Sequence, residues 1–365
     1  MHEIFFDLQF FADAGTLVNA TTNYVNSYTG ETTAHEGVNT MGPELKDFYD
    51  TELLENARTE MFYAQFGKRQ PLPANHGGRV EWRKWNTFAR AGKLQEGVIP
   101  TGQKFGVTAL SGAIDQYGTY TSITDKLELR SYDNVILGAT EEMGASAAET
   151  QEALIRDALL AGTNVLYCDN ITLATGASAG TPTAPAEMEA SATVMSMLTP
   201  SMVNKAVTIM KKNRVPRING RYVAVIHPSV SHDLRESDAW IEAHKYAAVE
   251  ELFNGEIGEL HGVRFVEDVF APVLGGDYKN KAGGATYATY FFGKDSFGII
   301  DPAGGGLEMI AKDKSEIGGP LNQFSTIGYK FETNGATILY QERMLRVMSC
   351  SSFSATDELN YVVEE

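Results

Sequence analysis

Hydrophobic and polar positions alternate along residues 79–124, where segments rich in Val, Trp, Tyr and Thr predict β-strands. Between the first two segments, residues 90–102 contain three glycines and one proline, a composition typical of the tip of a projecting loop. A two-stranded ribbon of this length has almost no core of its own, so it must pack against another surface. The pattern therefore predicts an extended β-ribbon loop over residues 74–132.

A helical spacing of small and apolar residues follows the ribbon and predicts a helix over residues 133–160. At about 1.5 Å per residue it would be roughly 42 Å long, enough to act as a spine for the molecule. Its many Ala and Gly residues would let a sheet or strand approach closely. The approximate apolar stripe consists of Ile136, Met143, Ala147, Leu154 and Ala158. An arm joined to a spine suggests assembly rather than catalysis.

Helices and strands alternate through most of the remaining chain, which predicts an α+β fold. Thr199 and Pro200 have the pattern of an N-cap and first helical residue, and Pro228 begins another helix. A further helix is expected over residues 240–253. The predicted strands are residues 222–226, 263–266, 286–292 and 336–340. Residues 164–193 are of low complexity and are expected to form a surface loop or a short inserted hairpin.

The N-terminal region divides into a polar arm and a helix. Residues 1–42 are expected to be an extended arm, followed by a helix from Pro43 with Gly67 as its stop and a connector to residue 73. The apolar start lacks the basic region of a signal peptide, and no stretch is apolar enough for a membrane span. Docking onto a groove of a partner chain or of the chain's own body is expected for Phe5, Phe6, Leu8, Phe10 and Phe11. The alternative is a frayed terminus folded back on the core.

Charge and cysteine content exclude several classes of protein. Thirty basic and 47 acidic residues give a net charge of −17, which argues against tight, sequence-independent binding of nucleic-acid phosphates. Cys168 and Cys350 are far apart in sequence and form neither a disulfide framework nor a zinc pattern. A reducing compartment during folding fits best.

The candidate catalytic and metal-binding patterns are weak. His227, His232 and His244 lie near acidic residues, but their spacing does not place a ligand pair on one helix face, so His227 is expected to cap the helix that Pro228 begins. The glycine-rich segment 301–306 lacks the context of a phosphate-binding loop and predicts a turn. No catalytic triad or nucleophile motif can be assembled from spacing. A triad can be dispersed along a chain, so an enzyme stays an open alternative here, but no pattern calls for one; we expect no catalytic activity, no cofactor and no metal site.

One basic stretch with interleaved aromatic residues stands out, WRKW at 82–85, flanked by Arg79 and Arg90. Such a stretch could stack on single-stranded nucleic acid. In an acidic chain we prefer a positive arm that meets an acidic neighbouring subunit. Lys93 and Lys104 could form an intersubunit cross-link, although loop lysines are usually only solvated.

A series of short segments in one order resembles the major capsid (coat) proteins of tailed bacteriophages, especially a podophage coat-protein subfamily with the Hong Kong-type capsid fold. The segments are AQFG at 64–67, LQEGVIPTGQ at 94–103, IDQYGTY at 114–120, IHPSV at 226–230, GEIGELHGVRF at 255–265 and IGYKF at 327–331, with DLQFFA at 7–12 similar to coat proteins from phages of Gram-positive hosts. The resemblance covers most of the chain.

The resemblance implies a set of parts. These are an N-terminal arm (1–42), a helix and connector (43–73), the extended loop (74–132), a peripheral domain with the spine helix (133–220 and 326–365, with an insertion at about 164–192) and an axial domain (221–325). The intersubunit contacts expected of the extended loop involve Trp82, Arg83, Trp85, Arg90, Lys93, Gln95, Glu96, Gly97, Pro100 and Gly102. No motif supports a cross-linking lysine.

The implied function is a structural protein that self-assembles as hexamers and pentamers into the icosahedral shell around a double-stranded DNA genome. Portal and scaffold proteins are expected partners and a decoration protein is a further candidate, with the DNA enclosed but not specifically bound and no membrane involved. Assembly is expected in the cytoplasm of the host bacterium and the final location in the virion. The alternative is the shell of a cargo-enclosing nanocompartment on the same fold.

Overall fold

The computed structural model of the chain describes residues 62–360, except 76, 87, 95, 98, 100–101, 131–134, 238–239, 242–255 and 315–322, and two short strands nearer the N-terminus. The chain divides into two units, Met1–Asn56 and Ala57–Glu365. In the first, Tyr24–Val25 pairs antiparallel with Thr32–Thr33. The five N-terminal docking residues and most of the helix predicted from Pro43 lie outside the described residues, as does most of the helix predicted at 240–253.

A seven-stranded mixed sheet is the centre of the second unit. Its strands, in spatial order, are Glu256–Leu260, Val263–Glu267, Tyr222–Ile226, Thr286–Phe292, Met344–Ser349 and Val165–Tyr167, with Val273–Leu274 paired to Thr286–Phe292 as well. Strands 222–226 and 286–292 are buried along their whole length. Because both strands are covered on both faces, their sequences are nearly continuous apolar runs. This is why the sequence analysis located them correctly.

The two faces of the central sheet contact different helices, because side chains alternate along each strand. On one face, Ala224 and Phe291 pack with Val203 and Met210 of helix Pro200–Lys212 and with residues of helix Pro228–Arg235. On the other face, Val225, Tyr290 and Phe292 pack with Ile155 and Leu159 of a long helix. The core is therefore two hydrophobic layers with the sheet between them.

The long helix is Val135–Leu159, the predicted spine. Ile155 and Leu159 near its end pack with the central sheet, whereas Met143, Ala147 and Leu154 pack with Tyr329 and Phe331 of a second sheet. That sheet consists of Glu308–Lys312, Phe324–Thr333 and Asp115–Thr124. The predicted close approach of a sheet to small residues of the helix is confirmed, and the spine connects the two sheets. The sequence missed the short helix Asp125–Arg130 that precedes it.

The predicted ribbon is confirmed in part. Arg79–Trp85 and Val107–Ala113 form a two-stranded antiparallel sheet. Residues 117–124, which the sequence placed in the same ribbon, instead belong to strand Asp115–Thr124, which pairs along its whole length with Phe324–Thr333. The alternation within residues 117–124 predicted a strand but could not identify a partner about two hundred residues away.

A third small sheet lies under the ribbon and consists of Lys68–Leu72, Phe297–Pro302 and Thr337–Ile338. The last of these is shorter than the strand predicted at 336–340. The turn predicted at 301–306 is confirmed, with the Gly305 amide donating to the Pro302 carbonyl at 3.1 Å. The predicted helix stop is also confirmed, since helix Tyr63–Phe66 ends at Gly67, which is extended.

The inserted segment forms its own three-stranded sheet of Asn170–Thr172, Ser178–Gly180 and Val194–Met195, which includes the predicted hairpin. Val165–Tyr167, at the start of the segment predicted as a loop or hairpin, is instead a strand that pairs with Met344–Ser349 in the central sheet. Met344–Ser349 also pairs with Thr286–Phe292 of the predicted axial domain. The domain bounds, including those of the insertion, stay predictions.

Both predicted helix caps are confirmed. The Thr199 side chain accepts a hydrogen bond from the Met202 amide at 3.4 Å, and Nδ1 of His227 accepts one from the Ser229 amide at 3.2 Å. Within the part of the chain that the structure describes, there are also the 3₁₀ segments Pro185–Glu187, Gly276–Tyr278 and Gln341–Arg343. No helix within the described residues is long and apolar enough to cross a membrane.

Candidate functional site

The ribbon and its tip, residues 79–113, form a projecting arm whose inner face rests on the body of the same chain. The register pairs Trp82 with Leu110 and Val80 with Gly112. These residues cluster with Ile300 and Leu339 of the small sheet beneath. We call Val80, Trp82, Leu110 and Gly112 the arm base. The support that a bare ribbon requires is therefore supplied within the chain at this end.

Trp82 fills the centre of the arm base and is 9% exposed. Two glycines make room for its indole ring. A Cβ atom on Gly298 would lie 2.9 Å from Cζ2 of Trp82, and one on Gly112 would lie 3.0 Å from Cζ3. Real Cβ contacts essentially never come closer than 3.0 Å, so any side chain at Gly298 would displace the ring. The arm base is a close-packed joint.

Polar contacts beside Trp82 hold the arm base at its edge. Nζ of Lys84 donates to Oε1 of Glu342 at 2.9 Å and lies 4.4 Å from the centre of the Tyr340 ring. The guanidinium of Arg343 covers the same ring at 3.7 Å. Cations over an aromatic face are attracted by its quadrupole. The 3₁₀ turn Gln341–Arg343 is thus a second attachment point for the arm. The sequence analysis did not predict this contact.

The outer part of the arm has the opposite character. Trp85 is 58% exposed and stacks on Phe105, with ring centroids 4.3 Å apart and planes at 17°. Phe88 stacks on Phe105 as well, at 5.3 Å and 19°. We call Trp85, Phe88 and Phe105 the aromatic stack. Only Trp85 of these three was among the residues singled out in the sequence, although the other two are also apolar residues beside turn-rich segments.

Hydrogen bonds continue the pairing of the arm beyond its strands. The Asn86 amide donates to the Gly106 carbonyl at 3.0 Å. The side chain of Gln103 accepts a hydrogen bond from the Ala89 amide at 2.9 Å and donates one to the Ala89 carbonyl at 3.1 Å. It thus makes the two bonds that the backbone of a neighbouring strand would make. At the tip, Gly97 has a φ of +80°, a conformation that favours glycine, and Ile99 is 94% exposed.

The predicted contact residues thus fall into three groups. Arg83, Trp85, Arg90, Lys93, Glu96, Gly97 and Gly102 are exposed on the arm. Gln95 and Pro100 lie outside the described residues. Trp82 is the correction: it is buried in its own chain, because its strand position faces the body. A stacking platform for nucleic acid built from both tryptophans is therefore not available.

The predicted absence of a metal site stays an expectation. Within the described ranges, no group of three or more His, Cys, Asp or Glu residues is arranged to hold a metal ion. His227 is occupied as a helix cap, and burial lowers its pKa. His232 is half exposed beside Asp233 and Glu236, and His244 lies outside the described residues.

Solved capsid structures share this fold. The capsid of cyanophage P-SCSP1u matches with a TM-score of 0.59 and 14% identity over 91% of this chain and 100% of that chain. The head of Helicobacter pylori bacteriophage KHP40 matches with a TM-score of 0.61 and 7% identity over 87% and 99%. The capsid of Ralstonia phage GP4 matches with a TM-score of 0.55 and 15% identity over 88% and 98%. The expected α+β, Hong Kong-type capsid fold is confirmed.

The particular family follows from the sequence. The profile of the family described as "Phage capsid protein" matches residues 108–334, more than half of the chain, so the chain belongs to the phage capsid protein family. No curated protein matches it in sequence. The chain is accordingly a structural capsid protein of the phage shell. Its assignment to a podophage subfamily stays a prediction.

Proposed function

We propose that this capsid protein assembles as hexamers and pentamers into an icosahedral shell, and that the arm of each subunit lies over the adjacent subunit. The observation that carries this proposal is the exposed aromatic stack at the outer part of the arm. Three large rings in one stack would be costly to leave in water, and large exposed apolar surfaces on soluble proteins mark contacts with partners. In a capsid protein the available partner is a second copy.

The composition of the arm supports the same partner. Residues 79–113 contain six basic and two acidic residues, whereas the whole chain contains 30 basic and 47 acidic residues. An arm of one charge and a body of the other attract each other between subunits, and such complementarity selects the partner and sets the register. Arg83, Arg90 and Lys93 are exposed for this contact. The basic charge thus has a use that requires no nucleic acid.

The expected partners beyond the shell belong to the same proposal. Portal and scaffold proteins would take part in assembly in the cytoplasm of the host bacterium, and a decoration protein could bind the finished shell. The net charge of −17 suits a lining that encloses double-stranded DNA without holding its phosphates tightly. In this proposal the chain carries out no reaction.

Trp85→Ala tests the role of the arm. The full chain, with its scaffold partner if one is needed, is purified as subunits and assembled over a range of concentrations. We expect folded subunits whose concentration threshold for shell formation rises about tenfold, corresponding to about 1.4 kcal/mol of lost contact energy. Sedimentation measures the assembled fraction, and negative-stain microscopy shows the particles.

The control is Leu173→Ala, which removes an exposed apolar side chain from the insertion and should leave the threshold unchanged. Shells of Trp85→Ala that form at the wild-type threshold would contradict the role of the arm. A wild-type chain that remains a monomer at high concentration, even with its scaffold partner, would contradict assembly itself.

A further inference from the structure

Two carboxyl groups are buried where helix Tyr63–Phe66 meets the spine helix. Glu152 of the spine is 2% exposed and Asp268, just after the central strand Val263–Glu267, is 1% exposed. Oε1 of Glu152 accepts hydrogen bonds from the amides of Phe62 and Tyr63, both at 2.7 Å. One side chain of the spine therefore holds the start of helix Tyr63–Phe66, to which the first 61 residues are joined.

The second oxygen of each carboxyl group has no such partner. Oδ1 of Asp268 accepts from the Phe270 amide at 2.9 Å. Oε2 of Glu152, Oδ2 of Asp268 and Oη of Tyr63 are all buried without a hydrogen-bond partner among the described residues. Leaving a buried carboxylate oxygen unpaired is costly, and the cost falls when the group takes up a proton.

The surrounding groups do not neutralise two negative charges. Among the described residues, Arg156, 4% exposed, is the cation that acts on both carboxyl groups, but it already binds Asp157 at 2.7 Å and donates to the Phe270 and Asn360 carbonyls. The other titratable groups among the described residues here are the phenols of Tyr63 and of Tyr290, whose rings pack edge to face. Burial raises the pKa of both phenols, so they stay neutral and add no further negative charge, and a phenol has no positive form that could compensate a carboxylate.

We propose that Glu152 and Asp268 form a pH-dependent latch, which holds residues 62–66 against the spine while the pair retains a proton and loosens when both carboxyl groups ionise. The latch acts within the second unit. The solution pH would determine how firmly residues 62–66 are attached to the spine. It concerns the single subunit and does not depend on the proposed arm contact.

The direction of the pH effect follows from the shifted pKa values. Burial raises the pKa of Glu152, against the backbone hydrogen bonds that lower it. Burial, helped by the charge of Glu152, raises the pKa of Asp268 from 3.8 to about 7. Protonation is thus favoured in the closed state, so its contribution is complete below about pH 4 and is lost as the pH rises through about 7.

Hydrogen exchange of the Phe62 and Tyr63 amides in the full chain tests the latch. After correction for the intrinsic dependence of exchange on pH, the opening constant should rise by up to about tenfold per pH unit between pH 4 and 7. Asp268→Asn and Glu152→Gln each remove one ionisation and keep a side-chain carbonyl that can accept the same bonds. Asp268→Asn should flatten this dependence, and Glu152→Gln should reduce it, because burial alone still raises the pKa of Asp268.

Glu149→Gln is the matched control, because Glu149 lies on the exposed side of the spine less than one turn from Glu152. In this variant the pH dependence of the opening constant should equal that of the wild type. Corrected protection of the two amides that is the same at pH 5 and pH 8 in the wild type would overturn the proposal, and this measurement needs no variant to fold. A dependence that persists in both Asp268→Asn and Glu152→Gln would overturn it as well.

Discussion

Trp82 and Trp85 lie three residues apart in one strand and have opposite environments. Trp82 is enclosed by Gly112, Gly298 and Leu339 of its own chain, whereas Trp85 is exposed and stacks only within the arm. An odd spacing along a strand places two side chains on opposite faces. The short sequence WRKW therefore contains one residue that attaches the arm to the body, Trp82, and one that lies on the exposed surface of the arm, Trp85.

The distinction separates folding from assembly. A residue of the arm base stabilises the subunit whether or not a neighbour is present. A residue of the aromatic stack contributes little to the isolated subunit and has its effect when a second subunit covers it. Substitutions at the two positions should therefore change different measurements.

Trp82→Ala should have the largest effect on subunit stability. Removing a buried indole from a close-packed site lowers the free energy of unfolding by about 3–5 kcal/mol. Urea unfolding of the unassembled subunit measures it. Trp85→Ala is the paired control and should cost less than about 1 kcal/mol, since it loses one exposed stacking contact. Equal losses at the two positions would remove the distinction.

The sequence predicted the elements well where the pattern is local. The spine, the buried runs YVAVI and TYATYFF and the caps at Thr199 and His227 follow from spacing and from single residues. Pairings between distant segments were missed, as for Asp115–Thr124 with Phe324–Thr333, because alternation within a strand does not specify its neighbour.

The candidate site shows the same limit. The arm, its glycine-rich tip and the exposed basic residues could be predicted from composition. The burial of Trp82 could not, because it depends on Gly298 and Leu339, more than two hundred residues away. The aromatic stack depends on Phe105, which reaches Trp85 only when the two strands pair. Glu342 beside Lys84 was missed for the same reason.

Gly298→Ala should have a smaller effect in the same direction as Trp82→Ala. The new Cβ would lie 2.9 Å from Cζ2 of Trp82 and 3.3 Å from Cδ1 of Leu339, and such overpacking costs about 1–3 kcal/mol. The control is Gly144→Ala in the spine, where no atom lies within 4 Å of the new Cβ and helix propensity predicts a gain of about 0.5–1 kcal/mol. Thermal unfolding distinguishes the expected destabilisation by Gly298→Ala from the expected stabilisation by Gly144→Ala. A Gly298→Ala variant more stable than the wild type would show that the arm base is loosely packed.

Glu342→Gln should have the smallest effect, because its ion pair with Lys84 is partly exposed and such pairs contribute at most about 1 kcal/mol. Burial opposes ionisation of Glu342, but the hydrogen bond and charge of Lys84 prevail and lower its pKa. The contribution is therefore present above the ordinary pKa of 4.5 and is lost as the pH falls through the lower folded value. A double-mutant cycle with Lys84→Met should give a coupling of about 0.5 kcal/mol at pH 7 that disappears in acid and in 1 M salt. A coupling near zero at pH 7 would mean that Lys84 is held by the Tyr340 ring rather than by Glu342, and the edge of the arm base would then be attached mainly through the aromatic ring.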